Sequence, residues 1–271
     1  MKQNIYRLFI VLICFSSCHG NKENTIIEVN DDSIQSEVAI KNLTSILAQN
    51  PDSVGLRLKL VLALDSVHKP KEALMQIDSL IKKDGLNYGL WFTKGQVAED
   101  AGDTLLAMES YTKAAKIYES PDALLSLANL YAETKNERAI TICSRIKALG
   151  QGKEMDANCD FIVGIYYARI KNSEAAVQFF DQCIAQNYTY MEAYIEKGMV
   201  YFDKQNYSKA LEVFNFASGV NRLYADTYYY QARCYEMMNK KDSAILKFQQ
   251  SLGLDKTLNE AKEGLTRLEK K

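Results

Sequence analysis

The chain has 271 residues, 47% of them apolar, so one or two domains with a sizeable core are within reach. Lys and Arg total 33 against 34 Asp and Glu, mixed along the sequence, and the lack of a basic stripe disfavours nucleic-acid binding. Two histidines leave too little imidazole for a His-rich metal site or ordinary His-centred catalysis, while only three prolines and 13 glycines favour long uninterrupted helices and an all-α protein.

Residues 1–18 read MKQNIYRLFIVLICFSSC, with Lys2 and Arg7 as a positive start, Leu8 to Phe15 as an apolar run, and Ser16-Ser17 as small residues before Cys18. That is the pattern of an export signal. The apolar run falls short of the roughly 20 residues a membrane-spanning helix needs. The small residues followed by Cys18 resemble the lipobox of bacterial lipoproteins. The resemblance implies a signal peptide over 1–17, lipidation at Cys18, and attachment made stable by two or three acyl chains. Cys14 is the alternative acceptor, but the bulky Ile13 precedes it; a secreted protein with an incidental Cys18 is the other alternative. A lipoprotein of a Gram-negative envelope is implied, most simply in the outer membrane, with the periplasmic or surface face open. Lys22-Glu23 resembles the acidic export tags of surface lipoproteins in the Bacteroidetes. Residues 18–32 are polar apart from Ile26-Ile27 and predict a tether.

From residue 33 onward the sequence carries a 34-residue repeat, interrupted by a unit with a shorter turn at 121–153 and a longer connection over Leu149 to Asp156. An opening helix is expected over 33–50, from Ala39, Leu43 and Ile46. The unit at 54–87 carries Leu60, Leu64, Ala73, Ile77 and Leu80, and the unit at 88–121 carries Trp91, Gly95, Ala107, Tyr111 and Ala114. A poorer unit at 121–153 has Leu124, Leu127, Ala128 and Tyr131, then Ala139, Cys143 and Ile146. Three units at 157–190, 191–224 and 225–258 are in strict register. They align Gly164, Gly198 and Ala232; Tyr167, Tyr201 and Tyr235; Ala176, Ala210 and Ala244; and Phe180, Phe214 and Phe248. A charged helix over 259–271 is expected to cap the array. These positions resemble the tetratricopeptide repeat signature, in which an aromatic, a small residue and a Tyr lie on a first helix and Ala, an aromatic and Ala on a second. The resemblance implies a right-handed α-solenoid of about six helix pairs whose stability comes from nearest-neighbour stacking.

No catalytic constellation is visible. Gly150-Gln151-Gly152-Lys153 is followed by Glu154 and lacks the upstream glycine of a phosphate-binding loop, and HExxH and GxSxG are absent. Cys143, Cys159, Cys183 and Cys234 read as small core residues, with Cys159 and Cys183 as the pair placed for a disulfide if one forms. No enzyme activity, metal or cofactor is expected.

In the family the inner wall is lined by the fifth, ninth, twelfth and thirteenth places of each unit. The fifth places here are Leu58, Phe92, Leu125, Phe161, Ile195 and Tyr229. Ile165 and Met199 at ninth places, Phe202, Arg233 and Met237 extend the stripe. Family members that grip a terminal carboxylate use Lys, Asn or Arg at these places; only Asn129 and Arg233 match in kind, so that grip is not assembled. The resemblance implies an adaptor that binds a protein or peptide partner, through an amphipathic helix or an extended apolar segment. The alternatives are a self-associating envelope protein and, further off, a helper subunit of an envelope enzyme.

Overall fold

The computed structural model describes residues 31–270, which form fourteen α-helices without a strand. Helix α1 (Asp31–Gln49) opens the stack. Six helix pairs follow: α2 (Val54–Ser66) with α3 (Pro70–Lys83), α4 (Tyr88–Asp100) with α5 (Thr104–Ile117), α6 (Pro121–Glu133) with α7 (Arg138–Ala148), α8 (Lys153–Arg169) with α9 (Ser173–Gln186), α10 (Met191–Asp203) with α11 (Tyr207–Val220), and α12 (Ala225–Met237) with α13 (Lys241–Leu254). Helix α14 (Asn259–Glu269) closes the array. The signal peptide and Cys18 lie outside the described residues. Asp31 and Asp32, assigned above to the tether, already belong to α1.

Each hairpin turn closes in the same way. The third residue from the end of the first helix accepts a backbone hydrogen bond from beyond the turn, as in Asp103 N to Ala98 O (2.8 Å), Asn172 N to Tyr167 O (2.9 Å) and Asn206 N to Tyr201 O (3.0 Å). The residue before each donor is left-handed: Gly102 at φ 75°, Lys171 at 64°, Gln205 at 60°. Asp103, Asn172 and Asn206 then cap the next helix with their side-chain oxygens. Pro70 and Pro121 start α3 and α6, where a missing N–H costs little.

The recurrent small and aromatic residues are the joint between helices. Tyr111, Phe180 and Phe214 are fully buried, and each ring lies against a glycine of the partner helix. A Cβ on Gly95 would stand 2.5 Å from Tyr111, and one on Gly164 would stand 2.6 Å from Phe180; Gly198 meets Phe214 in the same way. Ala176, Ala210, Ala232 and Ala244 are buried to the last atom. Tyr167, Tyr201 and Tyr235 are half-buried and pack against neighbouring core clusters, and Trp91 is half-buried with Lys113 over its ring at 4.3 Å. Because Ala232 stands where the preceding units have glycine, Phe248 finds its glycine on the capping helix, at Gly264. That contact locks α14 onto α13.

The first helix of the fourth pair departs from the expected start at residue 157. Helix α8 begins at Lys153 and runs 17 residues, one turn more than its counterparts. Gly150 and Gly152, at φ 64° and 101°, supply the turn ahead of it. First helices of neighbouring pairs approach one another, α6 to α8, α8 to α10 and α10 to α12, more closely than the second helices do. The first helices therefore form the inner wall of the curve.

Candidate functional site

The inner wall is the surface on which the sequence-derived groove residues should meet. Three of the ten do not reach it. Phe161, Ile165 and Ile195 are 8%, 2% and 3% exposed and belong to the core. Phe161 is covered by Tyr190, stacked at 5.0 Å, and by Phe180 at 5.9 Å. Ile195 packs likewise into a cluster with Phe214 of α11 and Tyr230 of α12.

The other seven form two groups. Phe92 and Leu125 are half-buried in the N-terminal half, with Phe92 stacked on Tyr88 at 5.8 Å. Met199, Phe202 and Tyr229 are half-buried in the C-terminal half, and Met237 is 44% exposed. Arg233 joins these last residues, with its guanidinium 5.8 Å from the Phe202 ring and 6.0 Å from that of Tyr229, donating to Tyr229 Oη at 3.1 Å. It also faces Glu236 at 3.5 Å, which Arg267 from α14 grips through two short hydrogen bonds. Asn129 lies on α6, three pairs away from Arg233 on α12, so the two cannot share a carboxylate.

An ion-pair bridge that sequence reasoning missed crosses three first helices. Arg169 on α8 donates to Glu133 on α6 at 2.8 and 2.9 Å and to Glu196 on α10 at 3.2 and 3.4 Å. Burial pushes the Glu196 carboxyl up from its ordinary range, and Arg169 pulls it back. No local sequence signal marks partners 36 and 27 residues apart.

Further along the wall, Glu192, Asp226 and Glu260 recur at one repeat place. Burial raises the Asp226 carboxyl above its ordinary value, and Asp255, Glu192 and Glu260 raise it further. The folded chain therefore binds the Asp226 proton more tightly than the unfolded chain. This group costs stability at neutral pH, and the cost fades as pH falls through the folded value toward the unfolded one. Asp226→Asn should accordingly stabilise the protein by about 1 kcal/mol near neutrality, with the gain shrinking toward pH ~4. Urea denaturation followed by circular dichroism at the two pH values measures this.

The cysteines are placed for packing. All four are buried with free thiols. Cys159 pairs with Cys143 across α7 and α8, not with Cys183 as the sequence reading placed it; the thiol–thiol hydrogen bond and burial push the Cys143 thiol up. Burial raises Cys183 and carries Cys234 to about 12, which leaves neither a ready thiolate. Among the described residues no three His, Cys, Asp or Glu side chains converge as metal ligands, and no helix is long and apolar enough to cross a membrane. On the outer side, a cleft of about 400 Å³ opens between α9, α10 and α11, lined by Ile184, Tyr194, Val213 and Phe216 beside the Lys197–Asp181 ion pair.

Residues 88–121 and 195–258 match family models described as tetratricopeptide repeat. A tetratricopeptide repeat protein from Parabacteroides merdae ATCC 43184 superposes with a TM-score of 0.71 at 17% identity, over 88% of this chain and 94% of that one. PilW, described as a widely conserved type IV pilus biogenesis factor, gives 0.61 at 15% identity, over 78% of this chain and 97% of its own. Yeast Tom70 gives 0.58 at 15%, over 88% and 58%. No curated protein matches the sequence. Identities this low speak to the fold, an α-solenoid of stacked helix pairs in which the two matched segments are tetratricopeptide repeats.

Proposed function

We propose that this protein is a lipid-anchored scaffold of the bacterial cell envelope, holding a segment of a partner protein on the inner wall of its solenoid. Tetratricopeptide repeats mediate protein–protein interactions, and the observation that carries the reading here is the half-buried apolar group of Met199, Phe202 and Tyr229, with Met237 exposed further along α12. Large apolar and aromatic side chains grouped in a concavity are what partner segments bury. On the outer wall Met75, Leu105 and Leu246 are exposed on separate helices, and the grouped apolar side chains there, Ile184, Tyr194, Val213 and Phe216, line the cleft beside the Lys197–Asp181 ion pair. The anchoring half of the proposal rests on the residues before Cys18.

Self-association through the terminal helix finds less support. The apolar face of α14, with Ala261, Gly264 and Leu268, is already buried within its own chain. The test of the scaffold is co-purification from the producing organism's membranes with wild type and with Met199→Ala/Phe202→Ala/Met237→Ala. The partner should be lost from the variant while Cys18→Ala releases the protein into the soluble fraction. An unchanged partner set in the triple variant removes the inner wall from the account, and a membrane-bound Cys18→Ala chain removes the lipid.

A further inference from the structure

The charges of this nearly neutral protein are sorted by wall. The first helices of the six pairs carry thirteen acidic and seven basic residues, a formal −6. The second helices carry eleven basic and seven acidic residues, a formal +4. The first helices are therefore the acidic members of the pairs, although the whole sequence sums to −1.

The cations that do stand on the C-terminal inner wall are already engaged. Arg169 is held by Glu133 and Glu196, and Arg233 faces Glu236; Lys197, the other cation of α10, points away to Asp181 beside the outer cleft. Several acids keep no cation. Asp203 is exposed at the C-terminal end of α10. Glu192 accepts only a neutral hydrogen bond, from the Tyr224 hydroxyl at 3.2 Å, and Asp226 stands among other carboxylates. Their order along the helices matters. Glu192 and Asp226 occupy the first turns of α10 and α12, Asp203 the last turn of α10, and the apolar floor of Met199, Phe202 and Tyr229 lies between them. Eleven helical residues separate Glu192 from Asp203, about 16 Å, so the groove is an apolar strip wide enough for one helix or strand with carboxylates along both edges.

We infer that the occupant of this groove is a cationic amphipathic segment of another protein, with apolar side chains on the Met199–Phe202–Tyr229 floor and Lys or Arg reaching the Asp203, Glu192 and Asp226 edges. The inference rests on the inner-wall reading above and adds the sign of the partner. An acidic segment would meet like charge on both edges and find the wall's arginines occupied. The floor supplies contact area and the edges supply selection and speed of encounter, since rim charges act mainly on association rate and specificity.

The probe is a randomised peptide library displayed on phage and selected against the full chain. Recovered peptides are then titrated against wild type, the edge variant Asp203→Asn/Asp226→Asn and the floor variant Met199→Ala/Phe202→Ala, each checked for unchanged helicity. The inference expects Lys/Arg-rich apolar peptides whose affinity drops about tenfold in the edge variant and falls with added salt. Neutral or acidic peptides that depend on the floor variant alone would overturn the cationic partner and leave the inner wall as a binding site. Peptides indifferent to the floor variant, or no binders at all, would overturn the inner-wall reading and this inference with it.

Discussion

Phe214→Ala is expected to lower stability by about 4 kcal/mol, among the largest effects available to a single substitution in this chain. The ring is completely buried on α11, seats itself against Gly198 of α10, and stacks on Tyr230 of α12 at 5.3 Å and 19°. Removing it leaves a void at two joints at once, the one inside the fifth pair and the one to the sixth. Because a solenoid holds together through neighbours, the damage should stay local. Hydrogen exchange should show α10 to α14 losing protection while α2 to α5 keep theirs. Phe216→Ala, two residues along on the same helix but 64% exposed, should cost less than about 0.5 kcal/mol and serves as the control.

Arg169→Ala is expected to cost about 3 kcal/mol, for a different reason. Glu133 is exposed enough to be solvated once its partner is gone, but Glu196 is 8% exposed and would keep a buried carboxylate without a counter-charge. Burial already pushes that carboxyl up even with Arg169 in place. The variant should therefore recover part of its loss on acidification, as Glu196 takes a proton in the folded state, whereas Phe214→Ala should not. Replacing both partners with apolar residues of similar volume, Arg169→Met with Glu196→Leu, should restore most of the stability. Urea titration of the two single variants and the double, at neutral and at mildly acidic pH, separates a charge effect from a packing effect.

How far the sequence reaches can be seen from these same residues. The joints were legible because their chemistry is local and repeated: a ring as large as Phe180 or Phe214 needs a glycine opposite it, and that demand recurs every 34 residues as Gly164 and Gly198. The turns were legible for the same reason. What the period could not report is how tightly each unit closes on the next. Phe161, Ile165 and Ile195 occupy the same repeat places as Tyr229 and Met199, yet the first three are core and the last two half-buried: Phe180 and Tyr190 close over Phe161, and Ile195 sinks into the cluster of Phe214 and Tyr230. The bridge from Arg169 to Glu133 and Glu196, the Cys143–Cys159 contact and the seat of Phe248 on Gly264 likewise join residues from different units or outside the repeat. The acidity of the first helices emerges only after each charge has been assigned to a first or a second helix, because the sequence total hides it.

The central claim is that partners are held on the inner wall of the C-terminal half. Its most direct test places a photo-crosslinking amino acid at Met237, exposed on α12, and in a second protein at Leu246, exposed on the outer-wall helix α13. Irradiation in the producing organism should give a discrete adduct from position 237 and none from position 246. An adduct from position 246 with position 237 silent would contradict the account and move the binding surface to the outer wall.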